Sequence, residues 1–391
     1  MTIKLYYEDA SQSSFTSEVL SCIYDEKKKL YAAELEKTCF FPEGGGQYAD
    51  PGTLDDIPVE DVREKNGIIL HYLKKPLEIG KTVSGQIDFE ERFSRMQQHS
   101  GEHIVSGIAH SRFGCDNVGF HLGNDKTTLD FNVPLTAEDI KFLELEANRV
   151  VAADLPVEVL YPTAEELSEI DYRSKIEIEG QIRIVRIPGV DTCACCAPHV
   201  SRTGMIGVIK LTDFINYKGG TRITLMAGFR ALEDYRRKED IVRSLSRSLS
   251  SKPEDVIASV DRLKQEAASW KEKLVRAQNS SLDKKLKSIS GTEKLVTVFE
   301  EDLENASALR FADNCMHLIS GVCAVFVGSD ESGYRYTLSS EHTDLRVFSK
   351  EFNSMLSGRG GGKPQLIQGT VNSKEQEIRA FLISFTENLA P

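Results

Sequence analysis

At about residue 91 this chain changes its period. Before that point, short runs such as IKLYY, AAELEKTCFF, IILHYL and TVSGQIDF alternate apolar and polar residues between Gly, Pro and Asp turns. That is the pattern of half-buried strands. From there, FSRMQQHSGEHIVSGIAHSRFG places apolar residues at 93, 96, 104, 105 and 108 and stops at Gly114, as one amphipathic helix does. The change divides a small β-barrel domain over 1–90 from a second domain starting at 91.

The second domain reads as α+β. Thr136 opens a helix through a T-x-x-D capping box, and Thr163-Ala-Glu-Glu166 opens a shorter one. VEVLY, IRIVRI and MIGVIKL read as strands, and KGG at 218–220 turns a hairpin into TRITLMAG. Near 230 the composition shifts to Lys, Arg, Glu, Ser and Leu with Pro253 as the sole proline. Residues 231–290 thus predict a pair of long helices, either a solvated spacer or an arm for dimerisation. Residues 291–391 alternate strand and helix, with SGRGGGKPQ at 357–365 as a loop. The predicted fold class is an α+β multidomain protein: small β-barrel, α/β domain with a metal site, helical arm and C-terminal α/β domain.

Composition narrows the functions. The chain has 391 residues and a net charge of −12, which argues against indiscriminate polyanion binding but leaves local contacts open. The 231–290 arm has a modest basic excess, whereas 291–391 is acidic on balance. No apolar run is long enough to span a membrane, and MTIKLYYEDA lacks the regions of a signal peptide. A cytoplasmic location is the expectation. Eight cysteines show no disulfide spacing, and three of them cluster in CACCAPH at 193–199, which in a reduced compartment suggests a metal or catalysis.

His99 and His103 sit four apart on the predicted helix, so both imidazoles share a face one turn apart. Alone, the pair is equally a polar helix face. Cys195-x-x-x-His199 adds a thiolate and a third imidazole in a Pro-containing loop, and the N/S set then suits Zn²⁺. A zincin needs its glutamate directly after the first histidine; Ser100 stands there instead. His110 lies roughly 10 Å further along the axis and reads as structural. Four protein donors close a tetrahedron that a catalytic zinc usually leaves open.

Two glycine-rich segments lack the Gly-Lys-Ser/Thr of a P-loop. Glu43-Gly44-Gly45-Gly46-Gln47 suits either a tight turn or close backbone approach to a ligand. Arg359-Gly360-Gly361-Gly362-Lys363 places two cations beside a flexible backbone, suited to phosphate contact or to a solvated turn.

PEGGGQ, H-x-x-x-H and C-x-x-x-H-V followed by TGMIGVIKL, in that order, resemble the editing domain of alanyl-tRNA synthetase and its free-standing relatives, the AlaX proteins. GRGGGKPQLIQG is similar to the synthetase's C-terminal domain, which is shared with DHH-type phosphoesterases. The resemblance covers essentially the whole chain. With the barrel first in the chain, it implies the long AlaX form, which edits in trans without ATP and does not charge tRNA.

The resemblance implies hydrolysis of the ester in Ser-tRNA(Ala), and in Gly-tRNA(Ala), at a zinc site formed by His99, His103, Cys195 and His199. It places pocket residues at Gln47 and Thr38, suitable partners for a serine hydroxyl. Gly44, Gly45 and Gly46, with Arg359, Gly360, Gly361, Gly362 and Lys363, would contact substrate or tRNA. The partners implied are mischarged tRNA(Ala) and a second copy, in a homodimer through the arm or the C-terminal domain. Where the family commonly has two glycines after the ligand cysteine, this chain has Cys196 and Ala197; Cys193 is a further spare thiol. The alternative reading is a tRNA-binding or dimeric scaffold with a decayed site. A nuclease is disfavoured because no Asp-His-His motif accompanies the C-terminal segment.

Overall fold

The computed structural model describes residues 1–123, 126–174 and 182–387. The chain divides into two compact units, Met1–Val242 and Arg243–Pro391.

In the first unit, six strands close on one another in the order Ser14–Asp25, Leu30–Leu35, Ile68–Leu73, Ile57–Lys65, Gly52–Leu54 and Thr82–Ile87. Their inward residues, among them Val19, Leu35, Leu54, Val62, Ile69 and Val83, form one apolar core. Strand Thr82–Ile87 alternates strictly between exposed and buried, as the period of two requires. At Gly85 a Cβ would lie 2.3 Å from the Phe15 ring, so only glycine lets that ring fill the interior.

Helix Phe89–Phe113 begins at Asp88, whose carboxylate caps the Glu91 N–H, and ends at Gly114 with φ 60°. It packs with helix Ala137–Ala152 against a four-stranded antiparallel sheet of Ile209–Tyr217, Gly220–Ala227, Thr127–Phe131 and Asn117–Leu122. Both threonine capping boxes form, at Thr136 and Thr163. A smaller sheet joins Glu158–Leu160, Ile184–Ile187 and Asp191–Ala194. Arg92 fixes the helix to the barrel: fully buried, it forms an ion pair with Asp50 and donates to the Cys39 carbonyl at 2.7 Å. Asp50 in turn accepts from the Phe41 N–H at 2.7 Å. The charge is paired and its donors are used, which is what burial demands.

Two long helices follow, Gly228–Ser248 and Val256–Lys287. In the second unit a five-stranded sheet runs Leu295–Glu300, Val322–Ser329, Gly333–Ser339, Leu366–Val371 and Arg359–Lys363. Alternate residues of Val322–Ser329 enter two separate cores: Val322, Ala324 and Phe326 one, Cys323 and Val325 the other.

The predicted loop at 357–365 is corrected. Arg359–Lys363 is an edge strand paired with Leu366–Val371 and exposed along its length. A Cβ on Gly360 would meet the Gln368 carbonyl and the Tyr336 hydroxyl, each at 2.3 Å. Gly360 and Gly362 serve close strand approach rather than flexibility.

Candidate metal centre

The donor atoms of His99, His103, Cys195 and His199 lie within 4.8 Å of one another. The helix supplies the first two, one turn apart. The loop leaving strand Asp191–Ala194 supplies the others, and Arg183 secures it by donating to the Cys195 and Ala197 carbonyls at 2.7 and 3.0 Å. All three histidines are at most 5% exposed.

Each imidazole is held by its Nδ1. His103 donates to Asp191 Oδ2 at 2.8 Å, His199 is 3.0 Å from Ser100 Oγ, and His99 is 3.3 Å from Gln47 Oε1. That leaves the Nε2 atoms for the centre. His99 Nε2 and His199 Nε2 lie 3.6 and 3.3 Å from Cys195 Sγ. Imidazoles oriented through their far nitrogen are the usual support of a metal site.

His103, Cys195 and His199 also shift one another's titration. Burial alone would raise the Cys195 thiol, but the charges of His99 and His199 hold it well below its ordinary range. Burial drives His199 down to about 3. Burial also opposes the charge on His103, yet the bonds to Asp191 and Cys195 lift it well above the usual value. A thiolate among three oriented imidazoles is a soft N/S set that fits zinc.

The PEGGGQ segment is a tight turn that also delivers a side chain. Gly44 and Gln47 exchange backbone hydrogen bonds at 3.1 and 3.0 Å, Gly45 and Gly46 take positive φ, and the Leu122 N–H donates to the Gly46 carbonyl at 3.0 Å. Gln47 is thereby carried to His99. Among the described residues its amide nitrogen is buried with no hydrogen-bond partner, an exception among buried donors.

Thr38 ends the short strand Lys37–Thr38. It is fully buried, accepts from the Phe40 N–H at 3.1 Å, and pairs with His71 Nε2 at 2.9 Å. His71, given no role from sequence, is thus its partner inside the barrel. Cys193 is buried and Cys196 exposed. His110 is an exposed partner of Asp116. Arg359, Gly360, Gly361, Gly362 and Lys363 lie in the other unit.

Sequence reasoning missed Asp191, Ser100 and Glu102. Fully buried Glu102 accepts from Ser106 and Asn117 at 2.6 Å each through Oε1, while Oε2 stands 4.0 Å from His103 Nε2. The signal was present: His99-Ser-Gly-Glu-His103 is H-x-x-E-H, the zincin spacing reversed, with the glutamate beside the second histidine. Asp191 carries no such local signal, because it acts across 88 residues.

Comparison with known proteins follows the same division. Residues 182–226 match the threonyl and alanyl tRNA synthetase second additional domain, and residues 291–389 match the DHHA1 domain. The chain is 29% identical to the alanyl-tRNA editing protein AlaX-L of Pyrococcus horikoshii, covering 97% of this chain and 96% of that one. It is 28% identical to the alanyl-tRNA editing protein Aarsd1 of Mus musculus, covering 97% of each. It is 32% identical to the alanine–tRNA ligase of Natronomonas pharaonis, covering 94% of this chain but 42% of that one. Over nearly its whole length, this chain is a homologue of the AlaX family of alanyl-tRNA editing proteins.

Proposed function

We propose that this protein is a trans-editing hydrolase that removes serine, and glycine, from mischarged tRNA(Ala). The observation that carries this reading is the pairing of the oriented His99, His103, Cys195 and His199 set with the unpartnered Gln47 amide. A zinc ion held by those four residues would polarise the aminoacyl ester and its attacking water.

The chain's own groups divide the remaining work. His99 Nδ1–H donates to Gln47 Oε1 and so leaves the amide nitrogen as a donor for a substrate oxygen. A donor that must be satisfied favours serine over alanine, whose methyl group would leave it unpaired. Thr38, whose hydroxyl pairs with His71, is the second pocket residue offered to the serine hydroxyl. Glu102 Oε2 takes the proton of the attacking water, while Ser106 and Asn117 hold the carboxylate still. Water attacks the ester carbonyl, the bond to the ribose oxygen breaks as that oxygen takes the proton from Glu102, and free amino acid and tRNA with its ribose hydroxyl restored leave. The exposed Arg359 and Lys363 would meet phosphates.

The test is release of serine from mischarged tRNA(Ala), with correctly charged tRNA as control. Absence of release by the zinc-loaded protein overturns the reading. Retention of tRNA without turnover would instead support a scaffold, which the complete and supported donor set argues against.

A further inference from the structure

Two donor sets overlap on His103. Besides the set with Cys195, the donor atoms of His103, Asp191 and Cys193 lie within 4.8 Å of one another, and all three residues are buried. A metal shared by a chain with spare thiols therefore has two addresses. Softness does not choose between them, since each contains a thiol and an imidazole.

Arg173 closes the second address. Its Nε donates to Asp191 Oδ1 at 2.8 Å and one terminal nitrogen to Oδ2 at 3.0 Å, a bidentate fork. Asp191 Oδ2 also accepts from His103 Nδ1. Both carboxylate oxygens are occupied, and so is His103 Nδ1. The backbone is stitched as well: the Arg173 N–H donates to the Thr192 carbonyl, and the Ala194 N–H to the Arg173 carbonyl, each at 2.9 Å, flanking Cys193. The ligand helix makes room through Gly107, where a Cβ would meet the Val190 carbonyl at 2.4 Å and Asp191 Cβ at 2.7 Å. A cavity of about 240 Å³, lined by Gly107, His110, Asp171, Tyr172 and Gly189, opens onto the pair from outside.

We propose that the Arg173–Asp191 pair is a positioning device that assigns the metal to the Cys195 set and closes the competing Cys193 set. By fixing Nδ1–H on His103, it aims Nε2 at Cys195. Without the fork, Asp191 is released as a ligand beside Cys193. The inference rests on the donor set proposed above and concerns metal placement, not turnover.

The test is zinc titration of the full chain against a chromophoric chelator, with alkylation mapping of Cys193 and Cys195. The parent protein should bind one zinc that C195S loses and C193S keeps. In R173Q, affinity of the Cys195 set should fall roughly 10- to 100-fold, as for supports of other metal ligands. Cys193 should become metal-protected, and C193S added to R173Q should abolish that protection. R173K keeps the charge but not the fork, and should fall between the two. If R173Q does not fold, R173K and G107A, which presses on Asp191, give the same readouts. Parent-like affinity with protection at Cys195 alone, in a folded variant, overturns the inference. Zinc retained by C195S in the parent protein overturns the donor set itself, and the inference with it.

Discussion

Gln47 and His99 meet at 3.3 Å across 52 residues of chain, the glycine turn reaching onto the ligand helix. The contact orients both partners: it fixes the imidazole through Nδ1 and leaves the glutamine amide nitrogen without a partner in a buried place. Gln47→Ala should therefore keep zinc while kcat/KM for seryl-tRNA falls about 10- to 100-fold, the loss of one hydrogen bond to a reacting substrate. Gln47→Glu keeps the acceptor for His99 but removes the donor, and should show the same loss. Deacylation kinetics with metal analysis on both variants checks this.

Glu102 gives a sharper contrast. Its Oε1 ties Ser106 to Asn117, so a purely structural role would appear as lost stability. Glu102→Gln preserves the shape and an acceptor. It should leave the melting temperature nearly unchanged and zinc bound, while kcat falls about 10²- to 10⁴-fold, the range for removing a general base. Equal kcat in the two proteins would assign Glu102 to packing alone.

The candidate donors were readable from sequence because their spacing is local. Three residues separate His99 from His103, and three separate Cys195 from His199, so helix and loop geometry carry the signal. Their supports were not. Asp191 and Ser100 reach their histidines over 88 and 99 residues, distances at which pairing depends on how the small sheet seats against the helix. Helices were similarly readable from caps and period, as at Thr136, Thr163 and Gly114. Strand Arg359–Lys363 was not, since three glycines carry no alternation and resemble a loop until the neighbouring strand is present.

That strand yields a stability prediction. Gly360→Ala would drive a methyl group to within 2.3 Å of the Gln368 carbonyl and the Tyr336 hydroxyl. Overpacking of this kind costs about 1–3 kcal/mol. Gly361, with nothing within 4 Å of its Cβ position, should tolerate alanine. Thermal unfolding of the two full-length variants should lower Tm for the first and hold it near the parent value for the second.

The last prediction concerns acid. His71 is fully buried in the barrel, and burial holds its pKa down at about 4, against a weaker opposing bond to the Ala33 carbonyl. In the neutral ring Nδ1–H faces Ala33, so Nε2 accepts from the Thr38 hydroxyl. Between about 4 and the ordinary value near 6.5, the unfolded chain binds a proton that the folded chain refuses. Unfolding is then favoured as pH falls, and the neutral-pH stability contributed by this group is lost progressively from about 6.5 down to 4. The full shift amounts to roughly 3 kcal/mol at about 1.4 kcal/mol per unit. Urea unfolding at pH 7 and pH 4.5 should show a fall that His71→Gln, which keeps a neutral acceptor for Thr38, reduces by most of that amount. An equally steep acid dependence in the variant would place the responsible proton elsewhere.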